Sequence, residues 1–162
     1  MNSSGIRVGL ISDTHGLLRP EALDALRGSD FIVHAGDIGD ASILARLSAL
    51  APVTAVRGNN DYGAWAARLP DTDRLSAGGV RILVLHDLNL LASAALVDVD
   101  VVVSGHSHRP KTESRAGVLY VNPGSAGPRR FRLPISVGML AIDANVVRSE
   151  LLPLDIQPAH HA

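Results

Sequence analysis

Short apolar runs that end in polar residues recur through the first two thirds of the chain. They predict five strands, at residues 6–11, 31–33, 53–56, 82–85 and 99–103. Apolar positions at helical spacing predict two helices between the first three strands, at residues 20–26 and about 41–50. Strands that alternate with helices are typical of the α/β class, in which the strands run parallel.

The last third of the chain lacks helical spacing. Turn residues separate apolar runs at 118–121, 135–142 and 146–152. This pattern predicts antiparallel strands, which we expect to form a second sheet packed on the first. Residues 154–162 contain proline and end near His160 and His161, and we interpret them as the flexible tail of a single domain that spans residues 1–162.

Each of the five predicted strands is followed by side chains that can bind metal. Seven of these donors are Asp13, His15, Asp37, Asn59, His86, His106 and His108. In open α/β sheets, ligands bind just beyond the carboxyl ends of the strands, so we expect the seven side chains to share one site. His106 and His108 are one residue apart and cannot share a helical face, but at a strand end they can face two neighbouring sites. The pattern therefore suggests two metal ions.

Composition narrows the choice of metal. The chain has no cysteine, so a metal must be bound by nitrogen and oxygen atoms of His, Asp, Glu or Asn. Imidazole combined with carboxylate suits Mn, Fe, Zn or Ni better than Mg or Ca, which prefer oxygen ligands. Two divalent ions roughly 3.5 to 4 Å apart can clamp the attacking and leaving oxygens of phosphoryl transfer.

Charge and aromatic content argue against other classes of function. Aromatic residues make up 3% of the chain, too few for base-stacking platforms, and the formal charge of −1 argues against a dedicated nucleic-acid surface. Apolar runs are shorter than the roughly 20 residues that span a bilayer, and the first residues do not resemble an export signal. We therefore expect a cytoplasmic protein without a membrane partner.

The order of the polar motifs is similar to that of a known family. The motifs are Asp13 and His15, Gly36-Asp37, Gly58-Asn59-Asn60-Asp61, His86, and Gly105-His106-Ser107-His108. They resemble the calcineurin-like metallophosphoesterases, and the size of the chain and the turn at residues 122–125 are most similar to the small YfcE/MJ0936-type phosphodiesterases of bacteria and archaea. The resemblance implies an α/β fold, a four-layer αββα sandwich with mixed central sheets.

The resemblance also implies how two divalent ions would be bound, with Mn²⁺ expected and Fe, Zn or Ni as alternatives. One ion would be held by Asp13, His15, Asp37 and His108, and the other by Asp37, Asn59, His86 and His106. Asp37 would therefore bridge the ions, and a hydroxide shared by the ions would attack phosphorus in line. The expected catalytic residues are Asp37, Asn59 and His86, of which Asn59 would also orient the phosphate.

Four further residues are candidates for contacts around the metals or the substrate. Asn60 stands where many relatives have His, and an amide cannot donate a proton as a general acid. Asp87 stands where glycine is common and either contacts a ligand or is simply exposed. Asp61 either orients a neighbouring group or caps the following helix. Arg129 belongs to a positive cluster at 129–132 that either reaches a substrate phosphate or forms a solvated loop.

The resemblance implies a metal-dependent phosphodiesterase that acts on a small phosphodiester or other phosphate-containing substrate. Two alternatives remain: a phosphomonoesterase or nucleotide phosphatase on the same site, and a non-catalytic protein-interaction scaffold, since a eukaryotic retromer subunit has this fold. Every predicted ligand position holds a competent donor, which favours catalysis over the scaffold. Small relatives are often dimers or tetramers, so a homo-oligomer is compatible with the resemblance.

Overall fold

A computed structural model describes residues 5–156 of the chain as ten strands and three α-helices. The strands are β1 (Ile6–Ile11), β2 (Phe31–His34), β3 (Val53–Ala55), β4 (Thr72–Ala77), β5 (Val80–Leu85), β6 (Val101–Val103), β7 (Lys111–Arg115), β8 (Val118–Asn122), β9 (Ser136–Asp143) and β10 (Val146–Pro153). The helices are α1 (Pro20–Leu26), α2 (Ala41–Ser48) and α3 (Ala64–Ala67). Two 3₁₀-helices, Leu88–Leu90 and Ser93–Leu96, follow β5.

The strands form two mixed sheets of five strands each. The first sheet has the order β10-β9-β1-β2-β3, and the second has the order β4-β5-β6-β8-β7. In the first sheet β1, β2 and β3 are parallel, and β9 joins β1 in the antiparallel direction. In the second sheet β5, β6 and β8 are parallel, with β4 and β7 as antiparallel edge strands. The prediction of mixed central sheets is confirmed.

The last third of the chain does not form the second sheet by itself, and that prediction is wrong. Strand β9 lies beside β1, with Ile6 opposite Ile142 and Leu10 opposite Gly138, so β9 and β10 complete the first sheet. Strand β8 instead pairs in parallel with β6 in the second sheet. An apolar run indicates that a strand exists, but its partner depends on contacts with residues far away along the chain.

Three clusters of buried side chains separate four layers. Leu10 and Val84 belong to the cluster formed by residues of both sheets. Leu26 and Leu47 belong to the cluster that α1 and α2 share with the first sheet. Leu83 belongs to the third cluster, in which the two 3₁₀-helices pack against strands of the second sheet. The αββα sandwich is therefore confirmed, although 3₁₀-helices take the place of α-helices in its second outer layer.

Two edge strands have no counterpart among the predicted elements. Strands β4 and β7 are largely exposed and carry polar side chains at most positions. An edge strand has only one neighbouring strand, so polar residues along it remain hydrated at little cost. Without an apolar run, neither strand gives the pattern on which the prediction depends.

Packing continues beyond the end of β10. Leu154, the first residue of the predicted tail, donates its N–H to the carbonyl of Ile135 at 2.7 Å and packs against the cluster under α1 and α2. His160 and His161 lie outside the described residues. Within residues 5–156, no helix has the length and apolar character needed to cross a membrane.

Candidate metal centre

Hydrogen bonds join the polar turns that follow β1, β2, β5 and β6. In the first sheet, the Asp13 N–H donates to the Gly36 carbonyl at 3.0 Å. In the second sheet, the Gly105 N–H donates to the His86 carbonyl at 3.0 Å. The His106 N–H connects the two sheets, because it donates to Asp13 Oδ2 at 3.1 Å. Turns that are far apart in the sequence therefore form one site.

Five of the seven predicted ligand residues have a left-handed backbone. Their φ angles are 56° at Asp13, 46° at His15, 56° at Asp37, 73° at His106 and 63° at His108. Residues other than glycine rarely adopt positive φ, at a cost of about 1–3 kcal/mol each. Such strain persists where the surrounding structure enforces it, and it is concentrated at functional sites.

Two glycines allow the turns to approach one another closely. A Cβ atom at Gly58 would overlap Asp37 Oδ1 and the Asp37 backbone nitrogen. A Cβ atom at Gly105 would overlap Ser12 Oγ and lie 2.7 Å from Asp13 Oδ2. The Gly-Asn and Gly-His motifs therefore begin with glycine because both carboxylates need the space that a side chain would occupy.

Asp13, His15 and His108 form a first group of converging donors. His15 Nε2 lies 3.7 Å from Asp13 Oδ1, and His108 Nε2 lies 3.5 Å from the same oxygen. The two imidazole rings are stacked, with centroids 5.3 Å apart. The three donor atoms lie within 4.8 Å of one another, an arrangement that can hold a metal ion.

Asp13, Asp37 and His86 form a second group, and all three are buried. His86 Nε2 lies 3.3 Å from Asp37 Oδ2 and 3.9 Å from Asp13 Oδ1. Asp37 Oδ2 is also 3.6 Å from His15 Nε2, which belongs to the first group. Asp13 is thus a member of both groups, and Asp37 belongs to the second group but also faces His15 of the first.

The remaining predicted ligands, Asn59 and His106, lie beside the second group. Asn59 Oδ1 is 3.2 Å from His106 Nδ1, so both atoms can bind the same ion. The ring of His106 is nearly perpendicular to that of His86, with centroids 5.2 Å apart. All seven predicted donors are thus brought together, while the ligand set of each ion stays a prediction.

Unpartnered buried atoms fit a bound metal. Within the described residues, Asp13 Oδ1, His15 Nε2 and His86 Nε2 are buried and have no hydrogen-bond partner. Buried polar atoms normally have one, because an unsatisfied atom costs about 1–3 kcal/mol. A divalent ion would be the common partner of these atoms, and imidazole nitrogen with carboxylate oxygen is the donor set that suits Mn, Fe, Zn or Ni.

Neighbouring groups set the protonation of Asp37 and two histidines. Burial disfavours ionised Asp37, but the nearby His86 imidazole and the hydrogen bonds from Asn60 outweigh it and hold the pKa of Asp37 far below its usual value. The Asp13 carboxylate, 3.7 Å from His15 Nε2, raises the pKa of His15. Burial also disfavours charge on His86, yet the Asp37 carboxylate at 3.3 Å leaves its pKa raised. The carboxylates therefore make this a site that attracts cations.

His86 is oriented through the ring nitrogen that faces away from the carboxylates. Its Nδ1 donates to the Ala35 carbonyl at 2.8 Å, which leaves Nε2 directed toward Asp37. Histidines that bind metals commonly donate their second N–H to a carbonyl or carboxylate, and this bond fixes the tautomer and the ring orientation. His86 is thus prepared to present Nε2 to a metal ion.

His34 is a buried histidine that supports the site without belonging to either donor group. Its Nδ1 accepts the Gly36 N–H at 3.1 Å, and its Nε2 then donates to Thr14 Oγ1 at 3.0 Å. Thr14 Oγ1 in turn donates to the Ile38 carbonyl at 2.8 Å. These bonds connect the turn after β1 to the turn after β2. Burial lowers the pKa of His34 to about 3, so the ring stays neutral.

Acid should destabilise the fold through His34. The unfolded residue titrates near 6.5 and the folded residue near 3, so between these values the unfolded chain binds the additional proton. The contribution of His34 to the free energy of unfolding is complete above pH 6.5 and falls by on the order of 3 kcal/mol over the two pH units below that value. Urea unfolding of the metal-free protein near pH 7 and pH 4.5 should show a larger loss for the wild type than for His34→Gln. Equal losses in the two proteins would contradict this role.

Asp61 holds two turns of the site together. Its Oδ1 accepts the N–H groups of Ile38 and Gly39 at 2.8 and 2.9 Å, and its Oδ2 accepts that of Gly58 at 2.8 Å. Asp61 therefore orients neighbouring backbone, which is one of its two predicted roles. The other role, capping of the next helix, is not observed, because Gly63 precedes α3 and no side chain caps that helix.

Asn60 contacts both oxygens of Asp37. Its backbone N–H donates to Oδ1 at 2.9 Å, and its side-chain Nδ2 donates to Oδ2 at 3.0 Å. These two bonds fix the rotation of the Asp37 carboxylate. The sequence shows only that Asn60 lacks an acidic proton, and the contact with Asp37 becomes visible in the folded chain.

Asp87 and the arginine cluster lie at the edge of the site. Asp87 Oδ1 accepts the Asn89 N–H at 3.0 Å and caps a 3₁₀-helix, while its Oδ2 is 3.9 Å from His106 Nε2. Arg129 is exposed. Burial lowers the pKa of His108, and the charge of the next residue, Arg130, acts in the same direction. The charge of Arg130 is therefore felt at the metal centre.

Ser12, Asn122 and Ser125 support the site, and sequence analysis did not single them out as site residues. Ser12 Oγ donates to Asp13 Oδ2 at 2.8 Å, and Ser125 Oγ donates to the Asp13 carbonyl at 3.0 Å. Asn122 Nδ2 donates to the Gly105 carbonyl at 3.0 Å. Serine and asparagine are ordinary turn residues. Only their burial beside the donors, which requires the fold, distinguishes these three.

The fold and the clustered donors define the class of protein. Residues 6–145 match the family model of the calcineurin-like phosphoesterase superfamily domain, and the chain belongs to this superfamily. The predicted resemblance is confirmed. Membership implies that the chain binds divalent metal and hydrolyses phosphate esters.

Individual relatives agree with this assignment. The chain is 34% identical to the probable metallophosphoesterase MJ0623 of Methanocaldococcus jannaschii, over 91% of this chain and 81% of that protein. It is 30% identical to the phosphodiesterase YfcE of Escherichia coli, over 82% of this chain and 85% of that protein. Its fold is similar to that of Vps29 from Chaetomium thermophilum, with a TM-score of 0.74 and 21% identity over 93% of this chain and 100% of that chain.

Proposed function

We propose that the chain is a phosphodiesterase that depends on two divalent metal ions, with Mn²⁺ as the first candidate. The observation that carries the proposal is the convergence of unpartnered buried donor atoms from Asp13, His15 and His86. The relatives named metallophosphoesterase and phosphodiesterase support it. Both sheets contribute to the site, so the fold as a whole holds the donors in place.

The residues of the chain have distinct roles in this proposal. The donors of one ion are Asp13, His15, Asp37 and His108, and those of the other are Asp37, Asn59, His86 and His106. When bound, the ions would supply a nucleophile from water at neutral pH and neutralise charge on the phosphoryl oxygens. Asp37 fixes the separation of the two donor sets, and Asn60 fixes the orientation of Asp37. The amide of Asn59 would orient the phosphate.

The side chain of Asn60 favours diesters with good leaving groups. A leaving group of high pKa needs a proton from a general acid, and an amide cannot supply one. The Asn60 amide is also engaged with Asp37 Oδ2 at 3.0 Å. A p-nitrophenyl ester needs no such proton, because p-nitrophenolate leaves readily. Bis(p-nitrophenyl) phosphate and p-nitrophenyl phosphate share this leaving group, so our expectation that the diester is hydrolysed faster rests on the relatives named phosphodiesterase.

The direct test compares these two substrates after metal has been stripped with a chelator and restored as Mn²⁺, Zn²⁺ or Mg²⁺. The proposal expects hydrolysis of the diester only after metal is restored, with Mn²⁺ above Mg²⁺. Faster hydrolysis of the monoester would favour the phosphomonoesterase or nucleotide phosphatase. Two bound ions without hydrolysis of either substrate would favour the protein-interaction scaffold.

Replacing Asn60 with His should extend the range of leaving groups. An imidazole at this position would supply the missing proton, so we expect hydrolysis of esters with poor leaving groups to rise by about tenfold or more over Asn60→Ala. Both variants lose the side-chain bond to Asp37, so their difference isolates the acid. The measurement is kcat/KM for diphenyl phosphate and phenyl phosphate, which release the poorer leaving group phenolate, with bis(p-nitrophenyl) phosphate as the ester that needs no acid. Identical values for the two variants would contradict this assignment of the acid position.

A further inference from the structure

A cavity of about 530 Å³ opens beside the metal centre. Its wall includes Asn59 and His86 and continues through Arg57, Asp71, Asp87 and Leu90. We infer that this cavity receives one of the two substituents of a bound phosphodiester and selects a neutral or cationic substituent over one that carries a second phosphate. The inference rests on the proposed phosphodiesterase function, because the metal centre must hold the phosphate itself.

Position and size make the cavity a substituent site. Asn59 and His86, two of the proposed metal ligands, form part of its wall, so a phosphate at the metals would lie at its mouth. Its volume is within the range of roughly 300–1,000 Å³ that is typical of sites for small molecules. It can therefore receive a group as large as a nucleoside or a choline.

The charges of the wall are unbalanced. Arg57 Nη2 lies 2.6 Å from Asp71 Oδ1, so the positive charge of Arg57 is already matched by a carboxylate. Within residues 5–156, Asp87 has no Lys or Arg partner, and its Oδ2 lies 3.9 Å from His106 Nε2. Asp61 adds a further carboxylate whose oxygens accept backbone N–H groups. In the proposed complex, Asp13, Asp37, the hydroxide and the bound diester would balance the charge of the two ions. The net negative wall should then repel a second phosphate and attract a cation.

The apolar part of the wall also suits an alkyl or alkylammonium group. Leu85 is buried beneath the cavity, and Leu90 is 79% exposed at its edge. Cavities that bind small molecules are lined largely by apolar side chains, with a few polar groups that fix the orientation of the ligand. A quaternary ammonium group has methyl groups that can pack against Leu85 and Leu90 and a positive charge that Asp87 attracts.

Three chromogenic substrates with the same leaving group test the inference. They are p-nitrophenyl phosphorylcholine, thymidine 5′-(p-nitrophenyl phosphate), and the 3′-phosphate of the latter. Each substrate releases p-nitrophenolate from a phosphate bound at the metals. Differences in kcat/KM among the three substrates therefore measure the effect of the second substituent. We expect the 3′-phosphate to be hydrolysed about tenfold less efficiently than its parent, and the choline ester at least as efficiently as the parent.

Substitutions of two carboxylates in the wall should reduce this preference, whereas a remote substitution should leave it unchanged. Asp71→Asn releases Arg57, and Asp87→Asn removes a charge while asparagine can still cap the 3₁₀-helix. Each should reduce the discrimination against the 3′-phosphate by about threefold or more. Asp143→Asn removes the same charge at the β9–β10 turn and should leave the discrimination unchanged. Unaltered discrimination in both wall variants would overturn the assignment to this cavity.

Binding to the metal-free protein gives a readout that does not depend on turnover. Choline and its neutral isostere 3,3-dimethylbutan-1-ol are titrated while the methyl resonances of Leu85 and Leu90 are followed by NMR. The inference expects choline to shift these resonances at lower concentrations than the alcohol, and an equal or weaker effect of choline would overturn it. If none of the three esters is hydrolysed, the proposed function is contradicted. If they are hydrolysed in a metal-dependent way but without a preference for charge, this inference alone is contradicted.

Discussion

Asp37→Asn is expected to lower metal-dependent hydrolysis of bis(p-nitrophenyl) phosphate by about a thousandfold or more and to reduce the bound metal from two equivalents to one or fewer. Asp37 Oδ2 is 3.3 Å from His86 Nε2 and 3.6 Å from His15 Nε2, so it faces donors of both proposed ions. Asparagine keeps the shape of the side chain but loses the charge that a bridging ligand must provide. The measurement combines initial rates with metal analysis of dialysed protein.

The matched control for this loss is Asp143→Asn, which removes a carboxylate far along β9. It should retain wild-type rates and two equivalents of metal. Asp13→Asn gives a useful comparison, because Asp13 Oδ1 also lies within 4 Å of both His15 and His86. If Asp37→Asn kept two ions and Asp13→Asn lost one, the bridge would be Asp13, and the proposed assignment would be incorrect.

Asp61→Ala is expected to lower the free energy of unfolding by about 4 kcal/mol, because three backbone N–H groups lose their acceptor at about 1–3 kcal/mol each. The three donors are Ile38, Gly39 and Gly58, at 2.8 to 2.9 Å from the carboxylate. The side chain of Asp61 is buried, so water replaces these bonds poorly. Urea unfolding of the metal-free protein at neutral pH measures the effect without a contribution from metal binding.

Asp61→Asn separates the two oxygens of this carboxylate. Asparagine can keep Oδ1 as the acceptor for Ile38 and Gly39, but it places an NH₂ group against the Gly58 N–H. We therefore expect a loss of about half that of Asp61→Ala, with weakened metal binding because the Gly58-Asn59 turn is released. Stabilities of both variants within about 0.5 kcal/mol of the wild type would show that the hydrogen bonds of Asp61 do not hold the site.

The donors could be predicted from the sequence because two local signals coincide. An apolar run such as residues 6–11 identifies a buried strand, and the polar residues that follow it, Asp13 and His15, mark its carboxyl end. The structure places such ends together for β1, β2, β3, β5 and β6. Each donor was therefore recognisable from its own segment, without knowledge of the partners of that strand.

Features that depend on long-range partners could not be predicted in this way. The sequence does not show that β9 lies beside β1 while β8 lies beside β6, because an apolar run does not specify which strand it pairs with. The same limit applies to hydrogen bonds. Asn60 and Asp61 follow one another in a motif, yet Asn60 contacts Asp37 and Asp61 contacts the backbone of Ile38, both more than 20 residues away.

His34 shows why the type of residue alone does not assign a role. From the sequence it is as compatible with a structural role as with one beside the metals, since it precedes Asp37 by three residues. In the fold its two ring nitrogens contact Gly36 and Thr14, and burial lowers its pKa to about 3. A neutral histidine with both nitrogens satisfied supports the turns and is not available as a ligand.

The central claim is that two divalent ions in this site make the chain a phosphodiesterase. Its most direct measurement is the rate of bis(p-nitrophenyl) phosphate hydrolysis while Mn²⁺ is added to the stripped protein. The account predicts no turnover without metal and a rate that stops rising when two equivalents are bound. A protein that binds two equivalents and hydrolyses nothing, or one that hydrolyses the diester equally well without metal, would contradict it.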